Sequence, residues 1–143
     1  MKISTRGRYG LRLLIDIAQN RGDSPVTLRE IAERQNISEP YLEQVAIALR
    51  RAGYIRSVKG AGGGYLCALP AADVRVGDVL RLLEGDMSVV DAPIPGADES
   101  PYRATLREAL YEPLDRTIAE VLDRKTLADL LYGSSAGYGD YCI

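Results

Sequence analysis

Apolar residues over the first fifty positions recur every three or four residues, which is the spacing of amphipathic helices. Residues 5–20 form one such segment, and the Gly- and Pro-containing stretch 22–25 breaks it. Thr27 and Glu30 have the spacing of a capping box, which predicts a short second helix. Ser38 is placed to cap a third helix. The core-facing residues predicted for the three helices are Tyr9, Leu13, Leu14, Ile17, Ala18, Leu28, Ile31, Ala32, Leu42, Val45 and Leu49.

Two short β-like runs, residues 54–58 and 65–69, lie on either side of the glycine-rich segment 59–64. This arrangement predicts a β-hairpin with a flexible tip. A fourth helix is expected over residues 76–84, closed by Gly85. The order of three helices followed by a hairpin is typical of a winged helix-turn-helix. The predicted fold is therefore mainly α with a small β-hairpin.

The second half of the chain predicts a long helix that starts at Ser100-Pro101, with serine as its cap and proline in its first turn. Pro113 should kink or split this helix near residues 109–112. Thr126 caps a last short helix. The apolar stripe of the long helix is too broad for one small domain to cover, so we expect it to pair with a second copy of the chain; folding back onto its own domain is the alternative. The stripe contains Leu106, Leu110, Leu114, Ile118 and Leu122.

These patterns divide the chain into three parts. Residues 1–85 are predicted to form a winged helix-turn-helix DNA-binding domain, and residues 86–132 a loop followed by dimerisation helices. Residues 133–143, rich in glycine and serine, are predicted to be a flexible C-terminal tail.

Charge is distributed unevenly along the chain. The chain has 143 residues and a net charge of −2, but residues 1–65 carry +5 and residues 66–143 carry −7. A basic first half indicates a polyanionic partner for that half alone, unless the separation is due to chance. No apolar run is long enough to span a membrane and no export signal follows the N-terminus, so a cytoplasmic location is expected.

The chain contains no histidine and two cysteines, Cys67 and Cys142. Structural zinc sites and Ser-His or Cys-His catalytic pairs depend on imidazole or on clustered thiolates. We therefore expect no enzyme activity, no bound metal and no cofactor. Cys67 is predicted to be a core strand residue.

The face of the third helix that points away from its apolar side offers groups suited to a DNA major groove. Gln44 can pair with adenine and Glu43 can accept from cytosine, while Arg51 lies further along the same face. Ser38 and Tyr41 are placed to reach phosphates. The alternative is an ordinary solvated face. The hairpin adds a basic wing, whose predicted DNA-binding residues are Arg56, Lys59, Gly62, Gly63 and Tyr65.

The glycine run is unlike a nucleotide-binding loop, because such a loop is followed by a helix whereas residues 65–69 are predicted to form a strand. Three segments, residues 1–10, 37–44 and 59–66, instead resemble the bacterial transcription regulators that include IscR, NsrR and CymR, the Rrf-two family. The resemblance extends from the start of the chain to about Leu131. It implies a winged-helix dimer joined through the long helix. By position it also implies DNA contacts from the wing at residues 59–65 and from Ser38, Tyr41, Glu43, Gln44, Thr5 and Arg8.

One departure from that family concerns the iron–sulfur cluster. Its iron–sulfur members carry three clustered cysteines before the long helix, and residues 91–102 here contain none. The chain is therefore most similar to the CymR branch, the repressors of cysteine metabolism. That resemblance implies that the protein acts together with O-acetylserine sulfhydrylase, an enzyme of cysteine synthesis.

The C-terminal residues bear on this partner. The sequence ends in Asp140, Tyr141, Cys142 and Ile143, an apolar end with a free carboxylate. It is similar to the tail with which serine acetyltransferase docks into the same enzyme, although a frayed terminus is the simpler interpretation. Three alternatives stay open: another small effector, thiol oxidation at Cys142, or an interaction module that regulates the enzyme without DNA.

Overall fold

The computed structural model describes residues 1–19 and 24–131. Four helices and a hairpin form the first part, and two helices joined by a wide π turn at Arg107–Tyr111 follow a long loop. Residues 127–131 add a final helical segment. The elements are α1 (Thr5–Gln19), α2 (Leu28–Gln35), α3 (Glu39–Arg51), β1 (Ile55–Val58), β2 (Gly64–Cys67), α4 (Val76–Glu84), α5 (Pro101–Leu106) and α6 (Glu112–Arg124). The prediction of a mainly α chain with a small hairpin is confirmed.

The helix boundaries follow from local chemistry. The Thr27 hydroxyl accepts the Glu30 backbone N–H at 3.2 Å, and the Glu30 carboxylate accepts the Thr27 N–H at 2.8 Å, which completes the predicted capping box of α2. Ser38 caps α3 by accepting the Tyr41 N–H. Asn36, between these helices, has a left-handed backbone (φ 53°), and this turn sets the angle at which α3 leaves α2.

The core lies between α1, α2, α3, α4 and the hairpin. Leu13, Leu42, Val45 and Leu49 are fully buried, as the helical stripes predicted. Leu127, from the last helical segment, is also in this core, so the chain returns to the first part after α6. Burial of each large aliphatic side chain stabilises the fold by about 1.5–3 kcal/mol, which makes this shared core the main source of stability.

A buried acid fastens α1 to α2. Asp16 is 5% exposed, and its carboxylate accepts two hydrogen bonds from the Arg34 guanidinium, at 2.7 and 3.1 Å, and one from the Gln35 amide at 2.9 Å. Arg12 donates in turn to the side-chain and backbone oxygens of Gln35. Because these bonds satisfy the buried carboxylate, the charge is tolerated and fixes how the two helices lie against each other.

The hairpin differs slightly from its predicted bounds. Strand β1 starts one residue later than predicted, and β2 covers Gly64–Cys67 instead of residues 65–69. The antiparallel register pairs Ile55 with Cys67 and Val58 with Gly64. A further bridge, unforeseen from the sequence, joins Val26 to Tyr65 through two backbone hydrogen bonds of 2.7 and 2.9 Å. It ties the outer edge of the wing to the segment that precedes α2.

Helix α4 lies against α1 on one side and α6 on the other, and glycines permit the close approach. A Cβ at Gly10 would lie 2.2 Å from Leu83 Cδ1, and a Cβ at Gly77 would lie 2.3 Å from Asp123 Oδ1. The Arg81 guanidinium completes the α4–α6 contact with two hydrogen bonds to Asp123, at 2.7 and 3.2 Å.

The predicted long helix runs without a break from α5 to α6, but its hydrogen-bonding pattern changes between them. Residues 107–111 form a π turn in which the Glu112 N–H donates to the Arg107 carbonyl, just before Pro113. Proline has no N–H to donate and its ring crowds the preceding turn, which accounts for a wider turn at this point. In place of the kink or split predicted near residues 109–112, the structure has a π turn that begins two residues earlier.

Candidate nucleic-acid interface

Helix α3 presents opposite faces to the core and to solvent. Its core side holds Leu42, Val45, Ala46 and Leu49. Its outer side exposes side chains that can pair with base edges or approach phosphates, and Ser38 at the N-cap is exposed as well. The exposed residues of this outer side are Pro40, Glu43, Gln44, Ile47 and Arg51. Glu43, Gln44 and Arg51 therefore share one accessible side of α3, and Ser38 is accessible at its N-terminal end.

Tyr41 behaves differently from these residues. Its side chain is half-buried and packs against the Tyr9 ring, with centroids 5.4 Å apart in an edge-to-face arrangement. The Arg12 guanidinium lies 5.5 Å from the Tyr9 ring centroid. This cluster joins α1 to the first turn of α3. Tyr9 was predicted only as a core residue, and its contact with Tyr41 could not be read from one helix at a time.

The wing carries exposed basic groups on a constrained turn. Arg56 and Lys59 are exposed, as is Gly62. A Cβ at Gly63 would lie 2.3 Å from the Val58 carbonyl oxygen, so the turn depends on glycine there. Tyr65 is half-buried against the core, and its backbone is bonded to Val26, which leaves its side chain less free than the prediction assumed.

The first turn of α1 forms the third part of this candidate interface. Arg8 is exposed, and its guanidinium donates to the Thr5 hydroxyl at 3.2 Å. The Glu84 carboxylate, from the last residue of α4, accepts the Ser4 and Gly7 backbone N–H groups at 3.0 and 3.1 Å. Sequence reasoning missed this contact, because nothing in the local pattern links residues about eighty positions apart.

Of the predicted dimerisation stripe, Leu106, Leu110 and Leu114 lie on the outside of α5, the π turn and α6, whereas Leu122 faces Gly77 of α4. Leu106 and Leu110 are each 46% exposed and Leu114 is 43% exposed, while Ile118 and Leu122 are half-buried. Side chains of this size are rarely left in a contiguous exposed row. The row is thus available to a second chain.

The loop between α4 and α5 shows whether this chain can hold an iron–sulfur cluster. Residues 86–112 contain no cysteine and no histidine. A cavity of about 370 Å³ lies between this loop and the α5 region, and Arg107 at its edge binds Glu99 and Glu112. Within the described residues no group of three or more histidine, cysteine or acidic side chains is placed to hold a metal ion. Carboxylates paired to arginine do not fit an iron–sulfur cluster, which needs thiolate ligands.

Of the two cysteines, Cys67 lies in β2 and Cys142 lies outside the described residues. Cys67 is half-buried and packs against the core, and burial raises the pKa of its thiol. A raised pKa leaves less thiolate at neutral pH, so Cys67 has the character of a structural residue. The predicted partner-binding residues Asp140, Tyr141 and Ile143 also lie outside the described residues.

Comparison with known proteins identifies the chain's relatives. A family profile described as "Rrf2: Iron-dependent Transcriptional regulator" matches residues 3–133. The chain belongs to the Rrf2 family. Its resemblance to that family and its assignment as a regulator instead of an enzyme are thereby confirmed. Within the described residues, no helix is long and apolar enough to cross a membrane.

Members of this family resemble the chain over most of their length. It is 43% identical over 130 residues to the HTH-type transcriptional regulator CymR of Bacillus subtilis, covering 91% of this chain and 89% of CymR. The solved structure of CymR, "the Global Cysteine Regulator of B. subtilis", matches with a TM-score of 0.78 over 92% of this chain and 97% of that one. The structure of T. potens IscR matches with a TM-score of 0.76 at 43% identity, over 94% and 88%. The winged-helix fold is therefore shared with both regulators.

The absence of thiolate and imidazole ligands in residues 86–112 generates a spectroscopic prediction. Protein purified without oxygen should be colourless, without the visible sulfur-to-iron charge-transfer bands of an iron–sulfur cluster. A chelator should leave its affinity for DNA unchanged. Replacing Cys67 and Cys142 together with serine tests whether either thiol holds iron. A visible absorbance band that disappears in this double variant would contradict the prediction.

Proposed function

We propose that the chain is a homodimeric repressor of genes for cysteine or sulfur metabolism, and that it binds an inverted-repeat operator without an iron–sulfur cluster. The observation that carries the DNA-binding part is the outer side of α3, where Glu43, Gln44 and Arg51 are exposed while the opposite side is buried in the core. The similarity to CymR supports the choice of regulated genes.

The three exposed regions fit different parts of a duplex. The outer side of α3 offers hydrogen-bonding groups for base edges in the major groove. The wing, with Arg56 and Lys59, offers positive charge and an open glycine turn for the backbone beside it. Thr5 and Arg8 add phosphate contacts from α1. The charge of +5 over residues 1–65 favours this orientation electrostatically.

The exposed row on α5 and α6 supports a dimer. An inverted repeat requires two winged helices related by a two-fold axis, with half-sites about one helical turn or a small multiple apart. Pairing the row of Leu106, Leu110 and Leu114 with its copy removes apolar surface from water on both chains. The same contact therefore stabilises the assembly and sets the spacing of the two α3 helices.

The base-reading role of α3 is tested by comparing two kinds of side chain. Gln44→Ala should reduce affinity for an operator selected from random duplexes by about 1–3 kcal/mol, with little effect on random DNA. Lys59→Ala should weaken both alike and lower the salt dependence, because it removes a phosphate contact. Lys125→Ala, at an exposed lysine beyond α6, is the matched control. Fluorescence anisotropy over a salt series gives the affinity for each duplex and its salt dependence. Equal binding of wild type to selected and random duplexes would overturn the regulator proposal.

The dimer contact is tested by placing a charge in the row. Leu114→Glu should convert the dimer to a monomer at micromolar concentration, because the contact would bury an unpaired carboxylate. Leu69→Glu is the control, since Leu69 is 40% exposed and lies outside the row. Light scattering reports the mass and circular dichroism the fold. A folded monomer for the unmodified protein would contradict the dimer.

The C-terminal residues support a proposal about the partner, which remains separate from DNA binding. We infer that residues 140–143 bind O-acetylserine sulfhydrylase at its active site, with the apolar Ile143 side chain as the buried contact. Ten residues after Gly133 can extend to roughly 33 Å, enough to reach into a cleft. Competition with O-acetylserine would then couple complex formation to sulfur supply.

Calorimetry with the enzyme tests this partner. Deleting Ile143 should weaken binding by at least about tenfold, because an apolar contact worth about 1.5–3 kcal/mol is lost. Cys142→Ser, which keeps the terminal isoleucine, should bind like wild type, and O-acetylserine should displace both. If deletion of Ile143 leaves the affinity unchanged, or if O-acetylserine does not compete, the partner proposal is wrong.

A further inference from the structure

Glu84 occupies an unusual place at the end of α4. Its carboxylate oxygen Oε1 accepts three hydrogen bonds from the start of α1: the Ser4 backbone N–H at 3.0 Å, the Ser4 hydroxyl at 2.7 Å and the Gly7 N–H at 3.1 Å. The first amides of a helix have no partner within the helix, and a carboxylate is the strongest acceptor a side chain can offer them. The Ser4 hydroxyl also accepts the Gly7 N–H, at 3.4 Å, so Glu84 and Ser4 together cap a helix that begins about eighty residues before Glu84.

Gly7 makes this contact possible. A Cβ there would lie 2.1 Å from Glu84 Oε1 and 3.2 Å from Ile3 Cγ2, so any side chain at this position would displace the carboxylate. The glycine is buried in the first turn of α1. Because Gly7 has no side chain, the end of α4 can approach the α1 backbone to hydrogen-bonding distance.

Hydrogen bonds connect Glu84, through Ser4, to Thr5 and Arg8, the residues of α1 predicted to bind phosphate. Ser4, held by Glu84 through two of its donors, accepts the Arg8 backbone N–H with its own carbonyl at 3.0 Å. The Arg8 guanidinium then donates to the hydroxyl of Thr5, the neighbour of Ser4, at 3.2 Å. The position of both groups depends on a first turn that Glu84 keeps closed.

We infer that Glu84 is a positioning residue for DNA binding, which holds the first turn of α1 so that Thr5 and Arg8 meet the phosphates in a fixed arrangement. This inference rests on the proposed DNA-binding function. Without the cap, the first turn frays, and DNA binding has to order it at an entropic cost. Glu84 itself contacts no DNA in this arrangement, and its effect reaches the duplex only through Thr5 and Arg8.

Helix α4, which carries Glu84, is fixed to α6 as well as to α1. Three residues earlier on α4, Arg81 binds Asp123 of α6, and Gly77 lies against the same acid. The N–H of Val76, where α4 starts, donates to the Lys125 carbonyl at 2.9 Å. One short helix is thus fixed to α6 along its length and caps α1 at its end.

The inference is tested with full-length protein and a duplex selected by the wild type from a random pool. Glu84→Ala should weaken binding about tenfold and lower the slope of log affinity against log salt by about 0.9–1.8, the value for one or two phosphates. Glu84→Gln, which keeps an acceptor oxygen, should recover most of the loss. Glu120→Gln, an exposed acid on α6, is the control and should bind like wild type.

A double-mutant cycle separates positioning from general stability. In a Thr5→Ala/Arg8→Ala background, Glu84→Ala should change the affinity less than twofold, because the groups it positions are already absent. All assays are run well below each unfolding temperature. If Glu84→Ala does not fold, Ser4→Ala takes its place. It removes the hydroxyl that donates to Glu84 and accepts the Gly7 N–H, and its loss should show the same dependence on the background.

Two results would overturn the inference. One is an unchanged affinity and salt slope in folded Glu84→Ala, or in Ser4→Ala where that variant replaces it. The other is an equal loss in the wild-type and the Thr5→Ala/Arg8→Ala backgrounds, which would make Glu84 a purely structural residue. Failure of the wild type to select any duplex is a different result, because it contradicts the DNA-binding function itself.

Discussion

The structure depends on the close approach of α4 to α1 and α6. Gly10 removes the side chain that would meet Leu83, and Gly77 removes the one that would meet Asp123. Polar bonds between Arg81 and Asp123 then fix the angle at which α6 leaves the core. Because the exposed row lies on α5 and α6 while the candidate DNA-binding residues lie on α1, α3 and the wing, α4 sets how any dimer contact is placed relative to DNA.

The helices of the first part could be predicted because their signals are local. Thr27 and Glu30 form the capping box expected from their spacing, and Ser38 caps α3 as its position indicated. The buried side of α3 follows directly from the period of Leu42, Val45 and Leu49. Once that side is buried, geometry alone leaves Gln44 on the outside. The accessible part of the candidate interface therefore follows from periodicity, whereas its DNA-binding role remains a proposal.

What the sequence did not predict comes from contacts between distant residues. The cap that Glu84 provides, the bonds of Asp16 to Arg34 and the bridge of Val26 to Tyr65 each join different elements, and no repeat or spacing marks their partners. The π turn is intermediate: Pro113 located it approximately, but the turn type depends on which carbonyl the Glu112 N–H reaches. These features depend on contacts between residues that are distant in the sequence, which the local pattern of apolar and polar residues does not show.

The central claim is that two copies of this chain present their α3 helices to successive major grooves of one duplex. Hydroxyl-radical footprinting of the wild-type protein on its selected duplex tests it most directly. We expect two protected segments related by a two-fold axis, with centres about 34 Å or a small multiple apart on one side of the helix. A single protected segment, or uniform protection along the duplex, would contradict the account.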